Sequence, residues 1–482
     1  MKKTNQIILT AIAVLVSFYS CNLNNKSENK QAQICVQGKI LSPVDTPLMA
    51  EFNHKTDSIA IDSLNEFIHC IESNKAAYID IKLRRIQFTI YACPGDTIHL
   101  KIDAAKHNDP VDFHGNDTKA SEYLYALRTQ ILTHPVFNDL LRQDSVEKFT
   151  AGTEKLQDSL SAKLDHFVQY MNDDYFTSLE NMRIEYLIQN QKIRYSKYHK
   201  FITGEPIPDS ASYFSFLKNT ALENPQALVL PEYINYLKNA FLFQLDDNAH
   251  DSAGYPDDIK YQLKSVRDNI KNDEIKLTLF YEILSGYAQY NGFDGLDSEY
   301  TWLINNMSND NKQSTLETLH ATWDKISKGK KAPGFTYPDA SGDSISLSDF
   351  KGKPVYIDVW ASWCGPCIRE IPHLDSLYHE YKDKNLVFLS VSVDEKKSGW
   401  VKALKTHNMP WTQLHTGGWD CKICDDYNIK GIPRFILIDH MGKIISASAP
   451  RPSSDEIKPL LNKHLNQKNS ENHLTENQTK SP

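Results

Sequence analysis

Two cysteines separated by Gly-Pro constrain this chain more than any other feature. The run Trp360-Ala361-Ser362-Trp363-Cys364-Gly365-Pro366-Cys367 follows Pro354-Val355-Tyr356-Ile357-Asp358-Val359. That upstream stretch is short, β-branched and aromatic, which predicts a buried strand. Downstream, Ile368, Ile371, Leu374, Leu377 and Tyr381 recur at helical spacing. The cysteines therefore stand where a strand ends and a helix begins. Unpaired amides and the helix dipole favour negative charge there, so Cys364 at the helix mouth is expected to ionise readily, and the thiolate is the reactive form of cysteine. Thiol–disulfide exchange needs one such thiolate and a second thiol in reach. Cys364 is expected to be the exposed attacking group and Cys367 the buried resolving one. The competing use of a Cys-x-x-Cys pair is half of a zinc site, and Cys421-Lys422-Ile423-Cys424 supplies a second pair that gives this weight. Gly-Pro between cysteines at a strand-to-helix junction favours redox chemistry, and no metal site is expected.

Asp358 lies six residues before the first cysteine, Gly352-Lys353-Pro354 precedes the strand, and Arg369-Glu370-Ile371-Pro372 follows the motif. With these residues Trp-Cys-Gly-Pro-Cys resembles thioredoxin, and more closely the envelope reductases called TlpA/ResA-like. The resemblance spans roughly residues 328 to 466. It implies a thioredoxin-like α/β fold over 332–466 with Cys364 and Cys367 as the redox pair and no cofactor. It also implies protein disulfide substrates and a membrane thiol donor of the CcdA/DsbD type, with cytochrome c maturation or envelope redox homeostasis as the setting.

The resemblance assigns further roles. A thioredoxin acid at the spacing of Asp358 exchanges the proton of the second cysteine. A strand expected to be buried would raise such a carboxyl and suit it to that work; the alternative is an acid at a strand edge facing solvent. Glu370 matches a second acid of the ResA-like reductases, the alternative being an exposed first-turn carboxylate stabilised by the helix dipole. Gly431-Ile432-Pro433 stands where thioredoxin-like folds place a cis-proline facing the cysteines, which leaves the backbone of Ile432 free to pair with an extended substrate. Trp363, Gly365, Pro366, Ile432 and Pro433 then form the substrate-binding face, with Trp360 and Trp363 packed around the motif. The family pattern does not require Cys421 and Cys424, which lie nine to twelve residues before Pro433. A second redox pair, a local disulfide and a metal clip all remain open for them.

The N-terminus carries a different signal. Lys2 and Lys3 precede an apolar run from Ile7 to Phe18, and Ser20 precedes Cys21. Residues 1–20 read as a signal peptide, too short to span a membrane. Cys21 resembles a lipobox cysteine, apart from Phe18 where an aliphatic residue is usual, and its lipidation would anchor the chain to a membrane. Residues 21–33 then form a polar tether. The expected location is the cell envelope or periplasm. Of eight cysteines, seven remain beyond Cys21, so at least one stays outside any internal pair. The two Cys-x-x-Cys pairs are the pairings the sequence supports best. A net charge of −8 gives no reason to expect nucleic acid as a partner.

The rest of the chain reads as two further domains. Residues 34–110 alternate as strands, with Cys93-Pro94-Gly95-Asp96 as a turn between Ile86-Gln87-Phe88-Thr89-Ile90 and Ile98-His99-Leu100-Lys101-Ile102. This resembles the small all-β sandwich at the N-terminus of Bacteroidetes-type thioredoxin-like lipoproteins. Cys35, Cys70 and Cys93 are expected to be small buried residues, with a disulfide between two of them as the alternative. Residues 118–325 carry helical stripes, among them Leu156, Leu160 and Leu164, and Ile184 with Ile188. They predict an all-α domain whose tyrosines pack with their hydroxyls at the surface. Residues 326–334 read as a linker, Asp394 as the cap of a helix running to His407, and 467–482 as a disordered tail. If the cysteines were only structural, the chain would be a non-enzymatic surface lipoprotein whose helical domain binds a ligand or partner.

Overall fold

The computed structural model describes residues 32–465, apart from 43, 53–54, 116–117, 130–135, 208–212, 220–222 and 245–258. The leader at 1–20, Cys21, the tether up to residue 31 and the tail at 467–482 lie outside the described residues. The chain divides into two compact units, Met1–Ser252 and Ala253–Pro482.

In the first unit, strands fill the N-terminal part and helices follow. The strands are β1 (Gln33–Ile40), β2 (Leu48–Phe52), β3 (Lys55–Ile59), β4 (Glu66–Glu72), β5 (Ala77–Leu83), β6 (Ile86–Ala92), β7 (Thr97–Ile102) and β8 (Val111–His114). They form two four-stranded sheets, β4-β1-β7-β8 and β3-β2-β5-β6. Alternate residues such as Ile79 and Ile81, or Ile98 and Leu100, point into one buried cluster fed by both sheets, as the pleat requires. Cys35 and Cys70 stand directly opposite across antiparallel β1 and β4, with Cα atoms 4.1 Å apart, and form a disulfide. This corrects the expectation of small buried residues: register, which periodicity does not reveal, decides the pairing. Cys93 instead donates to Asp173 Oδ2 at 3.8 Å.

The helices of this unit are α1 (Lys119–Leu127), α2 (Val136–Leu141), α3 (Val146–Val168), α4 (Asp174–Thr203), α5 (Ser215–Asn219) and α6 (Pro231–Gln244). Leu156, Leu160 and Leu164 of α3 meet Phe176, Ile184 and Ile188 of α4 in one core. Ser145 and Asp173 cap the two helices through the amides of Lys148 and Phe176. Several tyrosines depart from the expected surface placement. Tyr233 is fully buried, and its hydroxyl accepts from the Asn224 amide at 2.9 Å; a buried phenol is tolerated when its oxygen finds a partner. A buried charge cluster joins sheet to helices. Arg183 donates to Glu180 at 2.8 Å and to Glu232 at 2.6 Å, while Tyr78 donates to Glu180 at 2.7 Å.

The second unit begins with α7 (Ile259–Asn269), α8 (Asp273–Asn291), α9 (Asp297–Asn306) and α10 (Asp310–Asp324). The hairpin β9 (Thr336–Pro338) and β10 (Ser344–Ser346) precedes a five-stranded sheet ordered β13-β12-β11-β14-β15. Its strands are β11 (Val355–Trp360), β12 (Val387–Ser392), β13 (Thr412–His415), β14 (Arg434–Ile438) and β15 (Ile444–Ser446). β11, β12 and β13 run parallel, and β14 and β15 are antiparallel. All six residues of central β11 are buried, as expected of a strand covered on both faces. The connecting helices are α11 (Gly365–Tyr381), α12 (Lys397–His407), α13 (Lys422–Asp426) and α14 (457–465).

Residues 326–334 are not a free linker. The Gly329 amide donates to Ile444 O at 2.8 Å and the Ile444 amide to Lys330 O at 2.8 Å, so the segment extends the edge at β15. Its Lys and Gly composition hid these backbone bonds. The same unit ties α8 and α10 to the sheet: Asn291 accepts from Ser448 Oγ at 3.2 Å, and the Trp323 ring lies 5.3 Å from the Arg434 guanidinium.

Candidate active site

Strand β11 delivers the motif and helix α11 receives it. Cys364 is the N-cap of α11 in extended backbone, with Gly365 and Pro366 as the first two helical residues. Pro at this position loses no bond, because its missing amide would be unpaired anyway. Cys364 and Cys367 form a disulfide with S–S 2.01 Å. The Cys364 sulfur also accepts the Cys367 amide at 3.2 Å. That bond folds the sulfur back over the first turn, and Cys364 is 5% exposed against 3% for Cys367. The expectation of an exposed first cysteine is therefore corrected for the oxidised form. Trp363 takes the exposed position instead, at 66%, and Gly365 and Pro366 are exposed beside it. Trp360 belongs to the core.

Asp358 sits in the middle of β11, buried, with no cation beside it. Parallel register places it across from Ser390 of β12. Ser390 Oγ donates to Asp358 Oδ2 at 3.0 Å and accepts from Trp411 Nε1 at 2.8 Å. Burial drives the Asp358 carboxyl up to about 7; the Ser390 bond opposes this and the Glu370 charge adds to it. The strand-edge alternative is thus excluded. Glu370 is buried too, so the exposed first-turn carboxylate is excluded as well. It accepts from the Ser453 amide at 3.1 Å and from Ser453 Oγ at 2.8 Å. Burial also pushes the Tyr356 phenol far above its ordinary range, with Asp358 and Glu370 adding to the shift.

A third buried acid holds the loop before Cys364. Asp394 does not cap α12, whose N-cap is Lys396. It accepts from the Ser362 amide at 2.9 Å, Ser362 Oγ at 2.7 Å and Ser392 Oγ at 2.7 Å. The residue that was expected to start a helix fixes the active-site turn instead.

The Ile432–Pro433 peptide bond is cis. Val359 pairs with Arg434 across β11 and β14, so Pro433 falls opposite the end of β11, where the motif emerges. Ile432 and Pro433 are half-buried. The adjacent Arg434 is buried, donates to Ala447 O at 3.2 Å and faces Trp323. Tyr290 of α8, 47% exposed, places its ring beside Gly431, 3.5 Å from where a Cβ there would sit. Periodicity gave no sign of Ser453 or Tyr290. Ser390 had a signal, since it interrupts an apolar strand at the register position facing Asp358.

Cys421 and Cys424 stand at the start of α13 and form no disulfide. Among the described residues no group of three or more His, Cys, Asp or Glu side chains is arranged to hold a metal ion. No described helix is long and apolar enough to cross a membrane.

Known proteins resemble this part of the chain. A family model described as Redoxin matches residues 327–461. The thiol-disulfide oxidoreductase ResA of Bacillus thuringiensis subsp. konkukian is 31% identical over 141 residues, 29% of this chain and 80% of that protein. ResA of Bacillus subtilis is 31% identical over 141 residues, 29% of this chain and 76% of its own length. The crystal structure of the thioredoxin domain of a thiol-disulfide oxidoreductase from Bacteroides vulgatus is 33% identical, covering 29% of this chain and 99% of that one, with a TM-score of 0.27.

Proposed function

The chain belongs, through its C-terminal part, to the ResA-like thiol–disulfide oxidoreductases, and from that premise we propose that it is exported and reduces disulfides of cell-envelope proteins through Cys364 and Cys367. The observation that carries this reading is the Cys364–Cys367 disulfide at the mouth of α11, directly after the strand in which burial drives the Asp358 carboxyl up to about 7. In the reduced enzyme the Cys364 thiolate attacks one sulfur of a client disulfide, and the departing client sulfur takes a proton. Cys367 then loses its proton and attacks Cys364 Sγ, which releases the second client thiol and closes the enzyme disulfide. Asp358 is the acceptor for the Cys367 proton, directly or through water. A carboxyl poised near neutral pH both takes and returns a proton easily. Glu370 tunes Asp358 by its charge.

Trp363, Gly365 and Pro366 offer the client an exposed apolar face, and the backbone at Ile432 and Pro433 offers it an extended edge. Reduction of the Cys364–Cys367 disulfide falls to a membrane thiol donor of the CcdA/DsbD type, and lipid at Cys21 would hold the protein near it. Cytochrome c maturation is the setting this arrangement suits. The test is reduction of insulin disulfides: Cys364→Ser is expected to abolish turnover, and undiminished turnover in that variant overturns the reading. In Cys367→Ser, which cannot resolve, clients accumulate as mixed disulfides.

A further inference from the structure

The stretch from Trp419 to Cys424 repeats the layout of Trp363 to Cys367 at a second place in the same unit. Each has an exposed tryptophan ahead of the first cysteine, Trp419 at 41%. In each, the first cysteine is a helix N-cap in extended backbone and the second is the third helical residue. The likeness extends to access. Cys421 is 8% exposed and Cys424 5%, no less than the pair that forms the family's redox centre.

The side chains around the second pair differ from a core setting. The Cys421 and Cys424 sulfurs hydrogen-bond to each other, and Cys421 also meets the hydroxyls of Thr416 and Tyr337. The Tyr337 oxygen accepts the Ile423 amide at 3.0 Å, which fixes the phenol beside the pair. A buried cysteine that only fills space has apolar neighbours; this one has a second thiol and a phenol held beside it. A zinc clip would need further ligands, and none joins the pair among the described residues.

We infer that Cys421 and Cys424 are a second reactive dithiol, which exchanges with an incoming disulfide and closes to a Cys421–Cys424 disulfide. The Cys421 thiolate attacks one sulfur of the incoming bond, and the sulfur it displaces leaves and takes a proton. Cys424 then gives up its proton and attacks Cys421 Sγ, breaking the mixed disulfide and releasing the second thiol. Two thiols of the protein lose two electrons and two protons, and the incoming disulfide gains them; a dithiol reverses the step. The environments sort the roles. The Cys424 thiol, then the Cys424 backbone amide, Thr416 and Tyr337, hold Cys421 below the ordinary thiol range against its burial. The same bond to Cys421, with burial, holds Cys424 above that range. The other titratable groups at the pair are the Tyr337 phenol, Asp425 and Lys430; Lys422 and Asp426 pair with each other.

The test uses the full chain with Cys364→Ser and Cys367→Ser, so that failure of the first pair does not enter. The reduced protein is equilibrated with glutathione buffers of rising oxidised fraction, alkylated and read by mass spectrometry. The expected result is that Cys421 and Cys424 become protected together and reversibly, with loss of two hydrogens, and that Cys424→Ser leaves Cys421 as a glutathione adduct. The rate of Cys421 alkylation against pH should show a midpoint well below about 8.5, the ordinary thiol value. The rate at one pH is a poor guide, because a less basic thiolate is also a weaker nucleophile. Oxidation of the pair by the Cys364–Cys367 disulfide of unmodified protein without glutathione assigns a protein disulfide as the partner. Oxidation by glutathione alone assigns a small one. Absence of any joint protection in fully oxidised glutathione, an ordinary alkylation midpoint, or stoichiometric zinc released by Cys421→Ser overturns the inference.

Discussion

Each unit buries carboxylates, and the two do so in opposite ways. In the first, Glu180 and Glu232 flank Arg183, and Tyr78 supplies a further donor. In the second, Asp358 and Glu370 have hydroxyls and amides but no cation. Burial alone would lower the guanidinium of Arg183, yet Glu180 and Glu232 hold it well above its ordinary value, so it is a cation at every accessible pH. Burial raises Glu180, and Arg183 opposes the rise. The first cluster thus centres on a permanent cation and ties β5 to α4 and α6. Nothing fixes the protonation of Asp358, which changes across neutral pH. A buried acid with a cation beside it serves the fold, and one without serves proton transfer.

Removing the cation gives the largest expected effect. Arg183→Met leaves buried Glu180 and half-buried Glu232 without their cation, at a cost of about 3–5 kcal/mol. Denaturant unfolding should show this loss, while insulin reduction by the protein that remains folded should not change. A loss under about 1 kcal/mol would place the cluster with ion pairs of little net worth.

Asp358→Asn should move in the other direction. The native carboxyl holds its proton up to about 7, whereas the unfolded chain releases it near 3.8. Between those values the native state binds more protons, so stability falls as pH rises and levels off above about 7. An amide has no proton to lose. The variant should therefore lose this slope and gain about 1–3 kcal/mol at pH 8. It should also resolve mixed disulfides roughly a hundredfold more slowly at neutral pH. An unchanged slope, measured by denaturant midpoint against pH, would move the titration to another group.

This contrast was only half visible in the sequence. Asp358 stood out because an acid within Val355-Tyr356-Ile357-Asp358-Val359 breaks an apolar run, and Cys364 because its neighbours mark a strand-to-helix junction. Glu180 and Arg183 sit on a helix at a spacing that also suits a solvated surface pair. Only the packing of α6 brings Glu232 to them and shuts out water. Cys35 and Cys70 were hidden for the same kind of reason, since their pairing depends on which residues β1 and β4 set opposite each other. Local pattern names the elements and the reactive junction. Partners that meet across elements appear only once the chain has folded.

The smallest expected effect tests whether the hydroxyl beside Asp358 sets its protonation. Ser390 donates to Asp358 and accepts from Trp411, so Ser390→Ala removes a bond that favours the ionised acid and strands the indole N–H. The carboxyl should rise further, by less than about one unit, and the orphaned donor should destabilise the fold by about 1–3 kcal/mol. The two consequences separate experimentally. Ser390→Ala with Trp411→Phe removes the stranded donor and should recover much of the stability, while the upward shift in the pH profile of mixed-disulfide resolution persists. If the profile returns with the stability, the hydroxyl acts only through packing. Asp358 then owes its protonation to burial and Glu370 alone, and the second unit differs from the first only by the missing cation.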